Sequence, residues 1–144
     1  MSADRVFRCP SCGGLNRVDP GRGAPRCGRC HADVPVDGHP VTVSDDELER
    51  LVRSSPVPVL VDFYADWCGP CRQLAPILAE LGARHAGELF VVKVDTERHQ
   101  RFASRLGVQG IPAVFLYRDG QVVDQATGLR PLPAWEGLVA PHLR

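Results

Sequence analysis

The sequence predicts an α/β domain built as a three-layer sandwich around a mixed central sheet, with a small cysteine-rich module ahead of it. Three observations carry this reading. Apolar runs of strand length, residues 57–65 and 88–94, alternate with segments that are apolar at helical spacing, as in a sheet covered on both faces. An Asp119-Gly120 pair between two later strand candidates marks a tight hairpin and makes those strands antiparallel. Residues 1–36 hold four of the six cysteines amid Gly, Pro and Arg, a composition that buries no core unaided.

The module comes first. Cys9-Pro10-Ser11-Cys12 and Cys27-Gly28-Arg29-Cys30 are two C-x-x-C knuckles with fourteen residues between them. That is one short of the range of about 15 to 20 usual for a four-thiolate zinc ribbon. A tetrahedral zinc ion closed by Cys9, Cys12, Cys27 and Cys30 supplies the folding free energy this piece lacks. Two disulfides or a redox-labile thiol cluster are the alternatives. Gly13 after the first knuckle and Gly28 within the second are expected where the chain wraps the metal, and His31 reads as a surface histidine beside a complete set of ligands. A docking or redox-sensing role and a purely structural one stand level. Arg5, Arg8, Arg17, Arg22, Arg26 and Arg29 make the segment basic, but Phe7 is its only aromatic, which speaks against nucleic acid.

Residues 31–40 are a linker by their turn residues and two prolines, so the module is expected over 1–36 and the larger domain over 37–144. Val41-Thr42-Val43 is a short strand candidate. Ser44 then caps a helix, with Glu47 completing a capping box and Leu48, Leu51 and Val52 on the buried face. Pro56 and Pro58 end that helix and open the run 57–65, apolar on both alternating faces and therefore central. Asp62 interrupts the run. A carboxylate there costs several kcal/mol unless neutralised or paired, and its pKa should rise. It can lie beneath the cysteine pair that follows and take a proton from Cys71; a strand aspartate bonded to a neighbour is the plain alternative.

Trp67-Cys68-Gly69-Pro70-Cys71 closes this strand and opens the next helix. A sulfur at the mouth of a helix faces orphan N–H groups and the positive end of the dipole, so Cys68 is the expected nucleophile. Cys71, about one turn further in, suits the resolving role. Pro70 has no N–H to lose in a first turn, and its φ suits the helix. A bare C-x-x-C is as often half a zinc site or a structural disulfide. The strand before, the helix after and the wording between favour redox chemistry.

The stretch Val61-Asp62-Phe63-Tyr64-Ala65-Asp66-Trp67-Cys68-Gly69-Pro70-Cys71 closely resembles the active site of the thioredoxin family. With the four cysteines upstream, the chain resembles the thioredoxin-2 type, in which a small zinc-binding module precedes a domain of thioredoxin fold. The resemblance implies a buried aspartate, here Asp62, as base for the resolving cysteine, and a lysine, here Lys93, reaching toward it. Trp67, Gly69 and Pro70 then tune the dithiol. Gly110, Ile111 and Pro112, with the Ile111–Pro112 bond in cis, join Trp67 and Gly128 in the substrate groove. Tyr64 is a departure, since many thioredoxins have tryptophan there; packing behind the dithiol should change, its chemistry should not.

The remaining elements follow in order. Residues 71–86 read as a helix with Leu74, Ile77, Leu78 and Leu81 inward and Pro76 expected to kink it. Residues 88–94 are a buried strand, and 96–106 a helix with Phe102 and Leu106 inward. Residues 113–117 and 121–127 are the hairpin strands. Residues 132–143 form the last helix, with Trp135, Leu138, Val139 and Leu143 packing inward.

Bulk properties set the partners. With 17 basic and 17 acidic residues there is no global field for nucleic acid or an anionic membrane. No run approaches the roughly 20 apolar residues of a membrane span. The N-terminus lacks a signal-peptide core, so a cytoplasmic, monomeric protein is expected, where thiols stay reduced. The expected reaction is reduction of disulfides in partner proteins, serving redox homeostasis and the oxidative-stress response. No Rossmann glycine fingerprint occurs, so no nucleotide or flavin is bound here. By resemblance these belong to an NADPH-linked thioredoxin reductase that returns the electrons. A disulfide oxidase or isomerase, or a zinc-dependent binding module, are the rival readings.

Overall fold

The computed structural model describes residues 5–19 and 25–143; Arg22, counted above among the basic residues, lies outside them. In the module, β1 (Arg5–Arg8) and β2 (Leu15–Val18) form an antiparallel ribbon. Beyond it, β3 (Val41–Thr42), β4 (Val59–Tyr64), β5 (Phe90–Asp95), β6 (Ala113–Arg118) and β7 (Gln121–Thr127) make one sheet in the order β3-β5-β4-β6-β7. The first three strands run parallel, and β6 and β7 antiparallel, so the sheet is mixed. Four helices cover it: α1 (Asp45–Ser54), α2 (Gly69–Arg84), α3 (Arg101–Arg105) and α4 (Leu132–Val139).

Strand alternation decides the layers. Val59, Val61 and Phe63 join Leu48, Leu51 and Phe102 in the core under α1 and α3. Leu60 joins Leu74, Leu78 and Leu81 of α2 and Trp135 and Val139 of α4 in the opposite core. Asp62 has the parity of Leu60, which puts it under α2, fully buried. Asp119 and Gly120 both take positive φ, +53° and +80°, the geometry of a two-residue hairpin whose twist matches its strands.

Ser44 and Glu47 form the capping box of α1. α2 starts at Gly69, two residues before the expected 71, because Pro70 fits the first turn. The buried strand expected over 88–94 is β5, two residues later at its start. The helix expected over 96–106 shrinks to α3. After β5 the chain turns on Asp95, whose carbonyl accepts the N–H of Arg98 and His99 and whose carboxylate accepts that of Glu97. A helix begins only where Asp45 of α1 receives the backbone N–H of Arg101 and Phe102, at 3.0 and 3.2 Å. α4 likewise stops at Val139 and finishes in a 3₁₀ turn, Ala140–His142, since Pro141 offers no N–H to continue it.

Phe7, Cys9, Val18, Cys27 and Val34 give the module its own small core. Leu15 packs against the core under α1, and polar contacts tie the module to the larger domain as well. The Val6 N–H donates to the Gly87 carbonyl at 3.0 Å, with Arg5 donating to the Ala86 carbonyl at 2.8 Å. The Arg8 guanidinium, only 14% exposed, meets the Glu47 carboxylate at 2.6 Å. The linker crosses α2 where Gly38 lies against Gly82, so closely that a side chain on either would strike the other's carbonyl.

Candidate active site and metal centre

Cys68 is the N-cap of α2 and Cys71 sits in its first turn, with Cα atoms 5.2 Å apart and the two sulfurs joined in a disulfide. The Cys71 backbone N–H points at the Cys68 sulfur, 3.2 Å away. That is an orphan donor of the helix start aimed at one sulfur. The Cys68 sulfur also lies 3.8 Å from the Ile111 carbonyl oxygen, and Ile111 packs with Ala65 against the pair. Cys68 is 4% and Cys71 3% exposed, so a partner reaches the sulfurs only along the surface that frames them.

The structure places the residues expected to form the groove as follows. Trp67 stands out at 67% exposed, Gly110 is exposed, and the Ile111–Pro112 bond is cis. The Gly128 N–H donates to the Pro112 carbonyl at 2.8 Å, holding the start of the last loop against the proline. Gly69 and Pro70 fill the first turn of α2. Glu97 was not foreseen: its carboxylate accepts the Trp67 indole N–H at 2.6 Å. Thirty residues separate the two, and no local pattern signals the pairing.

On the face of β4 that lies under α2, both Asp62 carboxylate oxygens are buried without a hydrogen-bond partner among the described residues. Burial pushes its pKa up to about 6, against a smaller opposing pull from Lys93. Lys93 is opposite Asp62 in the β4–β5 register, with its ammonium 4.4 Å from the Tyr64 ring centre. The Tyr64 ring face therefore holds the Lys93 ammonium.

In the module the sulfurs of Cys9, Cys12, Cys27 and Cys30 lie within 4.8 Å of one another, with Cys9–Cys30 and Cys12–Cys27 both at 3.6 Å. A tetrahedral ion with bonds to thiolate of about 2.3 Å has ligand edges of about 3.8 Å, so the donor set fits one. The two knuckles repeat one construction. The Gly13 N–H donates to the Cys9 carbonyl and the His31 N–H to the Cys27 carbonyl, both at 2.9 Å, with φ +78° and +67°. The position equivalent to Gly13 is thus His31, which is exposed outside the cluster. The Gly28 N–H instead donates to the Asn16 side-chain oxygen at 2.9 Å. Backbone N–H groups, first that of Cys30 and then that of Arg29, hold the Cys27 thiol down to about 6. Cys12 moves the other way, to about 11: the Gly14 N–H lowers it, but burial and the neighbouring sulfurs outweigh that. Were all four ionised, the thiolates would repel one another at this distance, and a cation among them would relieve the repulsion.

The family model for thioredoxin matches residues 39–138. The chain belongs to the thioredoxin family. It is 40% identical to thioredoxin 1 of a Nostoc species over 70% of this chain and 94% of that protein, and 42% identical to thioredoxin of Bacillus subtilis over 59% and 82%. Its fold matches a single-site mutant of thioredoxin from Halobacterium salinarum with a TM-score of 0.69 and 33% identity, over 76% of this chain and 96% of that one. Thioredoxin membership and the Cys68–Cys71 disulfide together make it a thiol-disulfide oxidoreductase. The matched region leaves out the four-cysteine cluster, which is positioned to bind a metal ion and is compatible with the thioredoxin-2 type. No helix among the described residues is long and apolar enough to cross a membrane.

Proposed function

We propose that this protein reduces disulfides in partner proteins. The observation that carries the reading is the Cys71 N–H aimed at the Cys68 sulfur at the mouth of α2. In the reduced protein that donor and the helix dipole favour a Cys68 thiolate. The thiolate attacks one sulfur of the partner disulfide and releases the other as a thiolate. Cys71 then loses its proton to the Asp62 carboxylate and attacks the Cys68 sulfur, which frees the second partner sulfur and closes the Cys68–Cys71 disulfide. Two electrons have passed to the partner. A pKa of about 6 lets Asp62 stand ionised at neutral pH and still be basic enough to accept that proton.

Trp67, Gly110, Ile111, Pro112 and Gly128 line the path of an extended partner segment, while Gly69, Pro70 and Lys93 set the shape and field of the pair. The electron donor is an NADPH-linked, flavin-containing thioredoxin reductase. In the module, assigned to residues 1–36 ahead of a domain over 37–144, Cys9, Cys12, Cys27 and Cys30 hold zinc. When bound, it supplies a structural cross-link rather than chemistry. The setting is a monomer in the cytoplasm, serving redox homeostasis and oxidative stress. The test is a pair of variants in insulin reduction. Cys68→Ser should abolish turnover, and Cys71→Ser should accumulate a mixed disulfide visible by mass; wild-type turnover by Cys68→Ser contradicts the mechanism.

A further inference from the structure

The surface around Cys68 is charged differently on its two sides. Asp66 and Glu97 accompany Trp67. On the side of Gly110 and Gly128 stands Arg130, and two grooves meet on it. One runs between α2 and the loop after β7, walled by Gln73, Ile77, Leu129 and Pro131. The other passes the Gly110 loop and follows β7, reaching Gln109 and Gln125. No carboxylate lines either groove among the described residues.

The backbone that carries Arg130 is fixed. Its carbonyl accepts the indole N–H of the fully buried Trp135 at 3.0 Å, and two residues earlier Gly128 is bonded to Pro112. Its guanidinium is exposed and forms no ion pair among the described residues. The other arginine beside the dithiol, Arg72, is occupied with the Asp66 carbonyl at 2.7 Å. Leu129 next to Arg130 is 44% exposed, an apolar side chain turned to solvent within the groove.

We propose that Arg130 is a specificity-determining residue: it selects partner segments in which an apolar side chain, seated on Ile77, Leu129 and Pro131, is followed by an acidic one. The inference rests on the disulfide-reductase reading above. A free cation on a pinned backbone, at the junction of two grooves without acids, attracts a carboxylate and repels a lysine. Because the pair is exposed, the effect is a preference and not a gate.

The experiment uses three peptides, each with one intramolecular disulfide and an apolar residue followed by Glu, Gln or Lys, reduced by the full chain. Wild type should rank them Glu over Gln over Lys in kcat/KM, with about two- to fivefold between the extremes at low salt and less at high salt. Arg130→Gln should level the series, and Arg130→Glu should reverse it. An identical ranking in wild type and Arg130→Glu overturns the proposal. Cys68→Ser separates the two layers. If it still reduces the peptides, the reductase reading has failed. If turnover needs Cys68 but the ranking ignores Arg130, only the selectivity has.

Discussion

Asp62 sets two properties of the protein at once. As a buried carboxylate with no hydrogen-bond partner among the described residues, it destabilises the fold whenever it is charged. Its folded pKa of about 6 exceeds the ordinary value of about 3.9, so the fold favours the protonated form. The stability contributed by the protonated Asp62 is fully present below about pH 4, is lost as pH rises through about 6, and its absence above that amounts to about 3 kcal/mol. Asp62→Asn should therefore gain about 2 to 3 kcal/mol at pH 7, and the pH dependence between 4 and 6 should vanish. Urea unfolding at pH 4, 5, 6 and 7 measures both. The same variant should slow the step in which Cys71 attacks, seen as a longer-lived mixed disulfide with a partner peptide. Asp62 was legible in the sequence because a lone acid in an apolar run is conspicuous. Glu97 was not, because its tie to Trp67 joins two segments that nothing in the local pattern connects.

At the scale of elements, strands and long helices read well, and the short helix did not. β4 and β5 announce themselves by apolar runs broken inside only at Asp62 and Lys93, and α1 by its Ser44–Glu47 box. α3 has no cap of its own, and its first two N–H groups reach across to Asp45. A window along the chain cannot see such a cap, so apolar spacing alone extended the helix back to residue 96. Asp45→Ala should free both donors and cost about 2 kcal/mol, the effect of losing two hydrogen bonds to a charged acceptor. Hydrogen exchange at the amides of Arg101 and Phe102 should speed up well before global unfolding, and Asp45→Asn should restore part of the protection. Unchanged exchange in Asp45→Ala would mean that packing of Phe102, and not the cap, holds α3.

At the scale of the whole molecule, two units with different sources of stability share one seam. The larger domain rests on two apolar layers. The module has a core of only a few side chains and four cysteine sulfurs at metal-ligand spacing. Chelation of the metal-loaded protein should therefore unfold the module and expose four titratable thiols, while the thermal transition of the larger domain persists. Loss of both together would show one cooperative unit. The order of elements in the larger domain, its antiparallel hairpin and the two C-x-x-C pairs of the module were visible beforehand, because each is written in neighbouring residues, whereas the β1–β2 ribbon was not. The seam was not: Arg8 meeting Glu47, and Val6 meeting Gly87, depend on how the linker crosses α2 at Gly38 and Gly82.

The opening turn of α1 joins these scales. Within it Glu47 holds the module through Arg8, Asp45 caps α3, and Asp46 pairs with Arg101 at 2.9 Å. Anyone relocating the chain's termini would find this turn the worst place to cut. A circular permutant opened there would release three neighbours at a stroke, whereas one opened between Asp119 and Gly120 would sever only a hairpin tip.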